Sequence, residues 1–140
     1  MSKRLLIIDD ALIIREMIKE TVCGDGWEVV GEASNGKAGV AAFCQSSPDV
    51  VTLDLVMPES SGLEALTAIR ERDPAAKVLI VSAIAQSEVL EQTLRLGASD
   101  FIVKPFQRTT LLTTLNKLYH RSAPAPASPL TYNPTPGGRA

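Results

Sequence analysis

Hydrophobic positions along the chain switch between two periods. Residues 4–9 (RLLIID) form a nearly unbroken apolar run, which predicts a buried strand. From Ala11, the positions Ile14, Met17, Ile18, Thr21 and Val22 recur at helical spacing until Gly24 stops them. The alternation then repeats: a short strand at 27–31 (WEVVG), an Ala-rich helix at 37–44 and a strand at 49–55 ending near Asp54. Gly62, Leu63, Leu66 and Ile69 mark a third helix, closed by Asp73-Pro74. A strand at 77–82, a helix at 87–96 ended by Gly97, a strand at 100–104 and a helix at 107–119 complete the series.

Short strands of nearly continuous hydrophobicity, alternating with helices, predict an α/β fold with a doubly wound, five-stranded parallel sheet covered on both faces. Ligands of such sheets sit beyond the carboxyl ends of the strands. The residues expected there are Asp9, Asp10, Asp54, Ser82, Ala83 and Lys104.

Composition narrows the function. The 140 residues are one-domain size, 45% hydrophobic and 21% charged, with a formal net charge of −2. That balance offers no basic field for nucleic acid and no polybasic membrane anchor, so neither is expected as a direct partner. Only four apolar residues lie between Arg4 and Asp9, too few for a signal-peptide core or a bilayer span, which predicts a cytoplasmic protein. Cys23 and Cys44 lack motif spacing, and the single His120 makes no zinc set with them; both are expected as small packed or half-exposed thiols. The lone Trp27 and Met57 read as packing residues. From residue 122 the composition turns to Pro, Ala, Ser and Gly, predicting a disordered tail or linker (122–140) after a single domain at 1–121.

The strand ends hold the candidate chemistry. Three carboxylates brought together repel strongly: unit charges at about 4 Å interact by ~4 kcal/mol at an effective dielectric of ~20. A cation must offset them, and an all-oxygen donor set suits Mg²⁺ beside a phosphate group. Lys104 supplies a second positive charge, the Ser82 hydroxyl can donate to an anionic oxygen, and Asp54 is placed as a nucleophile. Taken singly, Asp9 and Asp10 could cap the first helix, Ser82 the fourth, and Lys104 could be a snorkelling surface residue. Caps, however, do not require an acid at Asp54.

Taken in order, Asp9-Asp10, Asp54 followed by Met57-Pro58 and Ser61-Gly62, Ser82-Ala83 and Lys104-Pro105-Phe106 resemble a response-regulator receiver domain of the bacterial two-component, chemotaxis-receiver type, over roughly residues 3–120. The resemblance implies the flavodoxin-like strand order 2-1-3-4-5. It also implies that Asp54 accepts a phosphoryl group from a histidine kinase, a histidine phosphotransfer protein or a small acyl phosphate. Asp10, Asp54 and the main-chain carbonyl of Val56 would then hold Mg²⁺ directly, with Asp9 acting largely through water. Lys104 would pair with phosphoryl oxygens and form a cis bond to Pro105. Ser82 and Phe101 would switch together, and an unknown output partner would read the face formed by the fourth helix, fifth strand and fifth helix. No independent substrate turnover is expected.

Three positions depart from the commoner receiver pattern: Phe101 lacks a tyrosine hydroxyl, and Val56 and Ile84 place hydrocarbon beside the route of attacking water. Leu12 and Ile13 fall off the main stripe of the first helix, beside Asp10, where they could dock a phosphodonor or simply be exposed apolar residues. Two alternatives come from other classes. A haloacid-dehalogenase-like phosphatase needs Asp-x-Asp after the first strand, where this chain has Asp9-Asp10-Ala11; an FMN-binding flavodoxin-like carrier needs a hydroxyl-rich phosphate loop that Ala11 to Arg15 do not offer.

Overall fold

A computed structural model describes residues 2–58 and 60–121. The expected tail at 122–140 lies outside the described residues. Strands β1 (Lys3–Ile8), β2 (Trp27–Ala33), β3 (Val50–Leu53), β4 (Val78–Ser82) and β5 (Asp100–Val103) alternate with helices α1 (Leu12–Val22), α2 (Gly36–Ser46), α3 (Gly62–Arg72), α4 (Ser87–Arg95) and α5 (Arg108–His120). All five strands run parallel in one sheet, in the spatial order 2-1-3-4-5. Residues 56–57 and 60–61 add a separate two-residue antiparallel pairing after β3.

Alternate strand residues serve opposite faces. Leu6, Ile8, Val51, Leu53, Val78 and Ile80 pack with Phe43 of α2 and Leu66 and Ile69 of α3. Leu5, Ile7, Val50, Leu79 and Val81 pack with Ile18 of α1 and Leu111, Leu115 and Leu118 of α5. Burial on both faces explains why the strands read as continuous apolar runs instead of alternating ones.

Several boundaries differ from the sequence expectation for local reasons. α2 begins at Gly36 because the Asn35 side chain accepts the Ala38 N–H at 2.8 Å. It runs on to Ser46, ending at Ser47, whose φ of 49° is left-handed. β2 reaches Ala33, past the expected Gly31, after a register shift opposite Leu5 and Leu6. β3 stops at Leu53 and not Leu55, because the chain turns under Gly62, whose N–H donates to Leu55 O at 2.9 Å. Cys23, the C-cap of α1, and Cys44, near the end of α2, are both exposed, not packed. Among the described residues, no helix is long and apolar enough to cross a membrane.

Candidate metal and phosphoryl centre

Sheet register brings the charged strand ends together. Ile8 pairs with Leu53, Leu53 with Ile80, and Ser82 with Val103. The residues following these positions therefore leave the sheet side by side. Asp9 N donates to Ala33 O at 3.0 Å, Asp54 N to Ile8 O at 3.0 Å and Lys104 N to Ser82 O at 2.8 Å, extending the ladders one residue into the site.

Asp9, Asp10 and Asp54 each offer a carboxylate oxygen, and the three oxygens lie within 4.8 Å of one another. Asp9 and Asp54 are buried, at 1% and 5% exposure, whereas Asp10 faces solvent. Lys104 Nζ donates to Asp9 Oδ2 at 2.8 Å and to Asp54 Oδ2 at 3.3 Å. Each buried acid also binds a nearby main-chain N–H: Asp9 Oδ1 accepts from Ala11 at 2.9 Å, and Asp54 Oδ1 from Val56 at 3.3 Å. Burial pushes the Asp9 carboxyl above its ordinary range, against the opposing pull of Lys104 and Ala11, with Asp54 adding repulsion. Burial alone would lower Lys104, but its contacts with the two carboxylates outweigh that and raise it.

A single ammonium does not balance three carboxylates. The remaining negative charge, the all-oxygen donor set and an open side at Asp10 fit a hard divalent cation that keeps some of its water. Zinc-type nitrogen or sulfur ligands are absent from this cluster.

Ser82 is buried at the neighbouring strand end, and its Oγ accepts the Ile84 N–H at 3.4 Å, leaving the hydroxyl hydrogen free to donate elsewhere. Phe101 is half-buried in β5, opposite Ile80, and packs with the α2–α3 core. Val56 is 58% exposed beside Asp54, and Ile84 is half-buried. The Lys104–Pro105 peptide is cis, as expected. The helix-capping readings fail: α1 is capped by Ala11 and α4 by Gln86, neither with a side-chain bond. Nor is Lys104 a surface residue, since its side chain is only 17% exposed and doubly ion-paired.

Two contacts escaped the sequence reading. Gly62 packs so tightly on the turn after β3 that a Cβ there would overlap Asp54 O and stand 2.6 Å from Leu55 Cα. Its place after Ser61 in the motif was the available signal. Arg15 Nη1 donates to the main-chain carbonyl of Asp9 at 2.6 Å. A single arginine among the polar positions of α1 gave no sign of that contact.

Residues 5–116 match the response regulator receiver domain family. The chain is 43% identical over 118 residues to the chemotaxis protein CheY of Thermotoga maritima, covering 84% of this chain and 98% of that one. It is 48% identical over 114 residues to CheY of Listeria monocytogenes, covering 81% and 96%. Among solved structures, a CheX–CheY–BeF₃–Mg²⁺ complex from Borrelia burgdorferi contains a similar chain, with a TM-score of 0.81, 28% identity and coverage of 84% and 90%. The phosphatase and flavin-carrier alternatives gain no support from these relatives.

Proposed function

This chain belongs to the response regulator receiver family, a phosphoacceptor family of two-component signalling, and we propose that its acceptor is Asp54. The observation that carries this assignment is that Lys104 Nζ bridges two buried carboxylates, Asp9 and Asp54, with Asp10 alongside at the solvent edge. One Asp54 carboxylate oxygen attacks phosphorus, forming the new P–O bond as the bond to the donor's imidazole nitrogen or acyl oxygen breaks. Lys104 offsets charge on the transferring group, and the Ser82 hydroxyl donates to one of its oxygens.

Asp10, Asp54 and the Val56 main-chain carbonyl would hold Mg²⁺ directly, and Asp9 largely through water. When bound, the ion supplies positive charge to the phosphoryl oxygens. Asp9 also keeps Lys104 aimed at the acceptor. After transfer, Ser82 moves toward the phosphoryl group and Phe101 shifts inward, which biases a two-state surface. The chain accepts a phosphoryl group without turning over an independent substrate.

The donor is a histidine kinase or histidine phosphotransfer protein, and the setting is cytoplasmic. The output surface is the α4–β5–α5 face, where Leu94 is 45% exposed and Leu90 half-buried beside the buried Thr93. An apolar rim on an otherwise charged helix suits a protein partner. Exposed Leu12 and Ile13, at 61% and 72%, border the acidic pocket on the side a phosphodonor must approach. Incubation with a small acyl phosphate, with and without Mg²⁺, tests the reading. A metal-dependent gain of one phosphoryl group is expected, and no gain with the metal present refutes it.

A further inference from the structure

The turn between β1 and α1 presents two of the three carboxylates, yet its local ties are few. α1 begins at Leu12 with no side-chain cap bond and no acid in its first turn. Asp9 is held by its backbone, by Lys104 and by the Ala11 N–H, which donates to its Oδ1 at 2.9 Å. The Asp10 carboxylate takes part in no hydrogen bond or ion pair with the described residues, so its position follows from the backbone beneath it.

That backbone is gripped from one side. Arg15 Nη1 donates at 2.6 Å to the Asp9 carbonyl, which belongs to the peptide joining Asp9 to Asp10 and so sets the plane from which Asp10 departs. Arg15 is itself oriented, since its Nε donates to Glu32 Oε1 at 3.0 Å and its side chain is only 15% exposed. The other Glu32 oxygen accepts from Lys19 Nζ at 2.7 Å, and Lys19 also pairs with Glu16 at 2.6 Å. An exposed ion pair alone contributes little. A charge-assisted bond to a main-chain carbonyl between two acids fixes geometry as well as energy.

We propose that Arg15, braced by Glu32, is a positioning residue that holds the Asp9–Asp10 peptide in the orientation the acidic pocket needs to receive a divalent cation. The role rests on the reading of that pocket as the Mg²⁺ site of a phosphoacceptor. Groups that orient metal-holding residues typically change metal affinity by 10- to 100-fold when removed. Arg15 acts on the backbone and not on a ligand atom, so the lower end of that range is expected.

Mg²⁺ titration by calorimetry, with circular dichroism and the melting midpoint in EDTA as controls for folding, separates positioning from general stability. Arg15→Ala should weaken Mg²⁺ binding about tenfold while keeping the wild-type dichroism. Glu32→Ala should weaken it less, and the double variant should bind no worse than Arg15→Ala alone, because both act through one contact. Wild-type affinity in Arg15→Ala, or losses that add in the double variant, would overturn the proposal. Should Arg15→Ala not fold, Glu32→Ala decides, and unchanged affinity there overturns it equally. A wild-type protein that binds no Mg²⁺ would instead remove the underlying reading of the pocket.

Discussion

Lys104 Nζ stands 2.8 Å from Asp9 Oδ2, closer than its 3.3 Å to Asp54 Oδ2. The lysine is thus the main counter-ion of an acid that is 1% exposed. Pairing does not fully offset the burial, because Asp9 is still raised above the ordinary carboxylate range.

That imbalance makes a pH prediction. A carboxyl whose folded pKa lies above its unfolded value favours the native state while protonated, and its contribution is lost as pH rises through the folded pKa. Asp9 should therefore cost stability at neutral pH in EDTA. Asp9→Asn should raise the melting midpoint at pH 7, and the gain should shrink as pH falls below the ordinary range of Asp, where the wild-type acid is also neutral. A gain that instead grew on acidification would reverse the assigned sign.

Gly62 yields a second prediction. A methyl group there meets backbone atoms of Asp54 and Leu55 that cannot rotate aside. Gly62→Ala should cost about 1–3 kcal/mol of stability, as overpacking does. It should also slow phosphorylation by displacing the turn that carries Asp54. Urea unfolding with an unchanged midpoint would show that the turn has more room than its geometry allows.

Trp27 predicts an optical silence. It opens β2, with Nε1 donating to Asn116 at 3.0 Å and its ring edge-on to Tyr119 at 5.8 Å. Asp54 follows the last residue of β3, at the opposite end of the sheet, and its neighbour is Leu55. Saturating Mg²⁺ should leave the tryptophan emission essentially unchanged. Strong saturable quenching would contradict this separation.

Much of the site was legible because apolar runs ended in charge, and a parallel sheet necessarily places such ends side by side. Asp9, Asp54 and Lys104 could be grouped on that ground alone. The contact of Arg15 could not, since it depends on the rotation of α1 about its axis relative to a turn whose shape the sequence does not state. The end of β3 was misplaced for a similar reason. Leu55 remains buried, at 5% exposure, and continues the apolar run after the strand has ended.

The lifetime of the phosphorylated form follows from Val56 and Ile84. Hydrolysis needs water in line at the phosphoryl group, and neither hydrocarbon side chain can hold it, so slow decay is expected. Val56→Asn with Ile84→Glu should speed decay by roughly tenfold, equivalent to about 1.4 kcal/mol of barrier. Mg²⁺ affinity should change little, because only the main-chain carbonyl of residue 56 is assigned to the ion. Loss of label after removal of the donor measures this; fast wild-type decay, or a double variant no faster, would contradict it.

The assignment of Asp54 as acceptor is tested most directly by intact mass after incubation with an acyl phosphate and Mg²⁺, comparing the wild type with Asp54→Asn. The wild type should gain one acid-resistant, base-labile phosphoryl group and the variant none. The same adduct on Asp54→Asn would place the acceptor elsewhere and contradict the account.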